Sequence, residues 1–197
     1  MQRLPKQFFK EHPLMQRSPA AIVYFRIESD ADAKIEDTMK QILGQESYDR
    51  RMAQIAAEGE TIEALTTSEA LVSMLRKAFD PLNLPVLCKK AIAMGEDAFS
   101  AILHRYKTSF QDAYWEAAVF ILAKADPAYT KQLLAQYADI RNPYAQSLAC
   151  LLFGMQKLEE AASLLMAEYE KMAKNKEDPM LCQGPLLGLY ILNDQAE

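Results

Sequence analysis

Two histidines, three cysteines and one run of closely spaced carboxylates are the residues with the chemistry for ligation, nucleophilic attack or proton transfer. His104 has Asp97 two helical turns before it, a spacing that lets a carboxylate orient an imidazole base. Arg105 and Lys107 flank it, and its neighbours favour an exposed surface histidine. His12 lies in an arm punctuated by Pro5 and Pro13 and has no partner for chemistry nearby. Zinc sites draw their ligands from close Cys/His pairs, and these histidines and thiols are scattered. Cys88 and Cys182 fall on apolar helical stripes without an adjacent base, which makes them core residues rather than activated nucleophiles. Residues 28–37, ESDADAKIED, have carboxylates in the style of a calcium loop. Lys34 and Ile35, however, occupy the places of a ligand and a glycine, so a helix N-terminus is the better account. Gly-rich phosphate loops and nucleophile elbows are absent. No catalytic set, metal site or cofactor is expected.

One basic set remains. Lys89, Lys90, His104, Arg105 and Lys107 fall on a single helical hairpin and form a candidate patch for a small anionic ligand, against a solvated edge as the default. Tyr114, Trp115 and Asp112 supply the aromatic and carboxylate groups that a nucleic-acid or base-excising reading would require. The net charge of −5 and pI of about 5.2 oppose that reading, because nucleic-acid binders show a basic footprint. Trp115 also reads as core.

The elements that must position these residues are helices. Hydrophobic residues make up 50% and charged residues 25% of the 197, ordinary globular usage. Ala, Leu, Glu, Lys, Gln and Met are abundant, and they lose little rotamer freedom in a helix. The ten methionines serve best as gap-fillers between helices. Asp80, Asp126, Asn142 and Asp178 each precede a proline, and Ser18 precedes Pro19, the pattern of a capping side chain followed by a residue with no N–H to lose. Thr66-x-x-Glu69 and Ser109-x-x-Asp112 read as capping boxes. Gly44, Gly59, Gly95 and Gly154 mark expected helix ends. The pattern predicts helices over 19–28, 31–43, 47–58, 67–79, 84–94, 96–107, 110–125, 127–139, 143–155, 157–174 and 185–193, an all-α fold. Residues 113–123, AYWEAAVFILA, are apolar nearly all round and require cover on several sides.

Tyr106, Tyr137 and Tyr169 each follow a large apolar pair three and four positions earlier, and they lie 31 and 32 residues apart. A fixed period of that size indicates stacked helical hairpins. From about residue 80 to 174 the chain resembles HEAT-type repeats in their short form, with AMGEDAFSAILHRY, ILAKADPAYTKQLLAQY and LFGMQKLEEAASLLMAEY at the cores of three hairpins. LLFGMQKLEEAASLL is also similar to a tetratricopeptide hairpin. The resemblance implies a single α-solenoid domain over 1–197: an N-terminal arm 1–18, irregular hairpins 19–79, and repeats with a C-terminal half repeat over 80–197. It also implies a non-enzymatic scaffold that binds a protein or peptide on a curved surface, with a nucleic-acid or base-glycosylase activity as the rival.

No apolar run approaches the roughly 18 residues of a membrane span. The first residues lack the apolar block of a signal peptide. An odd number of distant cysteines suits a reducing, cytoplasmic setting. Residues 1–20 carry +3 against −8 for the remainder, and with Phe8, Phe9, Leu14 and Met15 they are expected to dock on the body as a cap.

Overall fold

A computed structural model describes residues 18–28 and 32–193, the side chains of residues 32–37 excepted. The described residues form eleven α-helices and no strand: α1 (Pro19–Glu28), α2 (Asp32–Leu43), α3 (Gln45–Glu63), α4 (Ser68–Leu75), α5 (Leu84–Met94), α6 (Glu96–Thr108), α7 (Asp112–Ala123), α8 (Pro127–Ala135), α9 (Pro143–Met155), α10 (Ala162–Ala173) and α11 (Gln183–Asn193). Residues 1–17, most of the expected docking arm, lie outside the described residues.

Capping chemistry sets many of the boundaries. Asp80 and Asp126 accept from the backbone N–H two residues on, and the Asn142 side chain accepts from both Tyr144 N and Ala145 N. Ser18 Oγ accepts from Ala21 N and starts α1. Residues 21–27 are therefore helical despite their β-branched content. Gly95 (φ 67°) turns α5 directly into α6, and Gly44 (φ 75°) does the same between α2 and α3, a backbone region that glycine adopts without steric cost.

Some expected boundaries move. Thr67, not Thr66, caps α4, accepting from Ala70 N. Ser109 makes a tight turn through Gln111 N instead of a capping box. Asp178 accepts from Met180 N in a turn, and the following helix starts only at Gln183. Gly59 and Gly154 lie inside helices, not at their ends.

The helices follow a regular neighbour pattern. Alternate helices touch in series: α3 packs on α5, α5 on α7, α7 on α9, and α9 on α11. The intervening helices pack alongside, α4 on α6 and α6 on α8. α7 also meets α1, α4, α6 and α8, which explains a helix apolar on every side. Its residues 114, 115 and 117–122 are all buried. α1 crosses the chain to pack on α7, α9 and α11, a placement no local pattern reveals. Arg26 pairs with Glu116 at 3.1 Å, and Lys124 donates to the Ile27 carbonyl at the C-terminal end of α1. One buried apolar cluster runs from Ala20 to Leu187. Among the described residues no helix is long and apolar enough to cross a membrane.

The tyrosine period survives only in part. Tyr106 and Tyr137 are buried and both reach α9: Tyr106 Oη donates to the Ala145 carbonyl, and the Tyr137 hydroxyl lies 3.6 Å from Cys150 Sγ. Tyr169 is half-buried, and Met166 before it is 49% exposed. In α10 the buried stripe is Leu165, Glu168 and Met172, rotated away from the tyrosine. Lys171, 2.6 Å from the Glu168 carboxylate, neutralises the acid that takes the inner position.

Candidate functional site

The basic hairpin set does not assemble as one patch. Lys89 projects to solvent from α5. Lys90 Nζ donates at 2.6 Å to the Glu63 carbonyl at the end of α3, a structural cap of the neighbouring helix. Arg105 is half-buried, with Nε shielded from solvent and near enough to Tyr114 to act on its phenol. Only His104 and Lys107 meet at a recess.

That recess is a groove of about 820 Å³ between two successive loops, the 108–111 turn joining α6 to α7 and the 138–142 segment leading into α9. The first loop enters α7 without a side-chain cap, and the second ends at Asn142, whose side chain caps α9. Tyr106, Ser109, Trp115 and Ile140 form a buried floor. Trp115 is only 1% exposed: its Nε1 donates to the Tyr106 carbonyl at 2.8 Å, and its ring meets Tyr144 edge-on. The rim is open, with His104, Thr108, Phe110, Ala138, Asp139, Arg141 and Pro143 exposed and Lys107 and Asn142 half-buried. Phe110 is 89% exposed, the most solvent-accessible large apolar side chain among the described residues.

The electrostatics are uneven along the rim. Lys107 Nζ donates at 2.6 Å to Gln136 Oε1 and lies 3.8 Å from the Asp139 carboxylate. Arg141 forms no ion pair among the described residues. The groove thus holds two permanent cations against one carboxylate, with the carboxylate already facing Lys107. Nothing in the sequence singled out Phe110 or Arg141. The available signal was their position: Phe110 and Arg141 each stand just before the N-cap residue of a helix, Gln111 for α7 and Asn142 for α9.

The remaining nucleophiles are poorly set up for attack. Burial pushes the Cys150 thiol up to about 12, a change that the Tyr137 hydrogen bond only partly offsets. Burial also raises Cys88 and the half-buried Cys182, whose thiol donates to the Pro179 carbonyl. Thiols held protonated in this way are weak nucleophiles at neutral pH. The Tyr106, Tyr114, Tyr137 and Tyr144 phenols are likewise raised, first by burial, and each engages a carbonyl, thiol or carboxylate. Glu116 accepts from both Arg26 and Tyr144, tying α1, α7 and α9 together. Among the described residues no group of three or more His, Cys, Asp or Glu side chains is placed to hold a metal ion. Compared with protein-family models, with curated proteins and with solved structures, the chain matches none.

Proposed function

We propose that this chain is a non-enzymatic helical-repeat scaffold, a single HEAT-like α-solenoid domain, that binds a protein or peptide partner in the groove between the 108–111 and 138–142 loops. The serial packing of α3, α5, α7, α9 and α11 supports the solenoid reading, since stacked repeats contact their neighbours in order. The observation that carries the binding reading is the groove's section: a buried apolar floor under an open rim, with Phe110 standing 89% exposed on it. A trough of this volume falls in the range of ligand sites, about 300–1,000 Å³. Its open rim suits a chain segment laid across it better than an engulfed small molecule. α1 covers the flank formed by α7, α9 and α11.

The rival readings have less support. Trp115 and Tyr114 are core residues with their polar atoms engaged by Tyr106 and Ile102, so they are not free to stack on a base. An anionic ligand at a Lys89–Lys107 patch would require cations that Lys90 and Lys107 already direct to neighbouring helices. Peptide display against the folded chain tests the proposal. A recurrent motif whose binding collapses in Phe110→Ala supports it. Selected peptides that bind Phe110→Ala undiminished overturn it.

A further inference from the structure

We propose that the groove's occupant is an acidic peptide segment carrying an aromatic or aliphatic anchor, with Arg141 as the residue that reads its charge. The inference rests on the peptide-binding reading above and adds the partner's chemistry.

Charge points in this direction. The whole chain is net −5, yet the ionisable side chains around the groove are Lys107, Arg141, His104 and the single carboxylate Asp139. Asp139 faces Lys107 at 3.8 Å, so the positive charge left without a counterpart is that of Arg141. Its guanidinium is exposed, carries a planar fork of donors, and forms no ion pair among the described residues. Complementary charge across an interface selects partners and penalises like charge. A basic segment would meet Arg141 and Lys107 together. An acidic one would supply the absent carboxylate.

Shape supplies the other half. Phe110 projects from the rim beside the floor of Trp115 and Ile140. An apolar side chain laid against Phe110 at the rim would cover its exposed ring, and aromatic anchors dominate the energetics of such interfaces. A polyanion without anchors would leave Phe110 exposed. Nucleic acids also draw their affinity from many phosphate contacts, typically about six to ten, and two permanent cations in an acidic chain are too few.

Fluorescence anisotropy on the full chain separates these possibilities. The probes are a short labelled peptide with a Phe-Leu pair flanked by Asp and Glu, the same peptide with Asn and Gln in their place, the same with Lys, and oligothymidylate. The acidic peptide is expected to bind about tenfold more tightly than the amide peptide. Arg141→Glu should remove that advantage, Arg141→Lys should retain most of it, and Phe110→Ala should weaken both peptides. Circular dichroism should show each variant folded, because both side chains are exposed. Equal binding of acidic and amide peptides, both sensitive to Phe110→Ala, overturns the acidic partner while leaving the peptide groove standing. Binding by none of the peptides overturns both proposals. Oligothymidylate binding that requires Arg141 overturns the acidic partner in favour of nucleic acid.

Discussion

The seam between α9 and α11 and the groove between the 108–111 and 138–142 loops place opposite demands on their residues. At the seam two helices run parallel with almost no side chain between them. A Cβ on Gly154 would strike the Gly188 backbone, one on Gly184 would strike the Ser147 carbonyl, and one on Gly188 would stand 2.5 Å from the Cys150 carbonyl oxygen. Ser147 Oγ also donates to the Leu181 carbonyl at 2.6 Å. At the groove, two loops from successive hairpins stay apart, and a phenylalanine stands nearly bare in solvent. The seam uses small residues to exclude everything else. The groove leaves apolar surface and charge unspent. The first region is close-packed backbone against backbone, and the second leaves a large apolar side chain in solvent.

That contrast can be broken at several points. Trp115 underlies the groove yet belongs to the core, so Trp115→Ala should destabilise the protein by about 3–5 kcal/mol, read from urea melts. A loss below about 1 kcal/mol would place the indole functionally with the rim.

At the seam, Gly154→Ala and Gly184→Ala should each cost about 1–3 kcal/mol, the usual penalty of overpacking. Intrinsic helix propensity predicts the opposite sign, a gain approaching about 1 kcal/mol for alanine. Chemical denaturation therefore decides between propensity and packing. Stabilised variants would mean that the helices can separate cheaply.

Alkali should loosen the seam before it alters the groove. Burial disfavours the Cys150 thiolate and pushes the thiol up from 9.0 to about 12. The Tyr137 phenol beside it is pushed up as well, by burial first and then by Cys150 and Glu168. The unfolded chain thus sheds these protons at lower pH than the folded one, and linkage makes stability fall as pH rises. The denaturation midpoint should hold below pH 9 and decline from there to about 12. A midpoint flat across that window would mean that Cys150 is already reached by solvent.

The smallest effect belongs to the rim. Phe110→Ser should change stability by no more than about 0.5 kcal/mol, as for other exposed positions. A larger loss in the melt would show that the ring contributes to packing, and would remove the main reason for assigning the groove a partner.

Local chemistry was legible at several positions where one residue answers to its own backbone. Asp80, Asp126 and Asn142 cap the turns and helices they precede, and Gly44 and Gly95 turn one helix into the next. The all-round apolar character of residues 113–123 correctly demanded neighbours on every side. Glycine alone is ambiguous: Gly154 reads as a stop, because only the approach of Gly188 shows that the missing side chain makes room for a helix. The phase of α10 was hidden for a similar reason. An acidic residue reads as outward-facing, and Glu168 is turned inward beside its Lys171 partner.

By itself, then, the sequence determined the all-α helix content and several of the caps, among them Asp80, Asp126 and Asn142, because these depend on contacts within a few residues. Tertiary structure decided which helices touch. It carried α1 over to α7, α9 and α11, turned Lys90 to Glu63, and set Phe110 and Arg141 on one rim. Contacts such as Lys90 to Glu63, 27 positions apart, and Lys124 to Ile27, 97 positions apart, are not written in any local pattern. They depend on which apolar faces cover one another in three dimensions, and no local propensity encodes that choice.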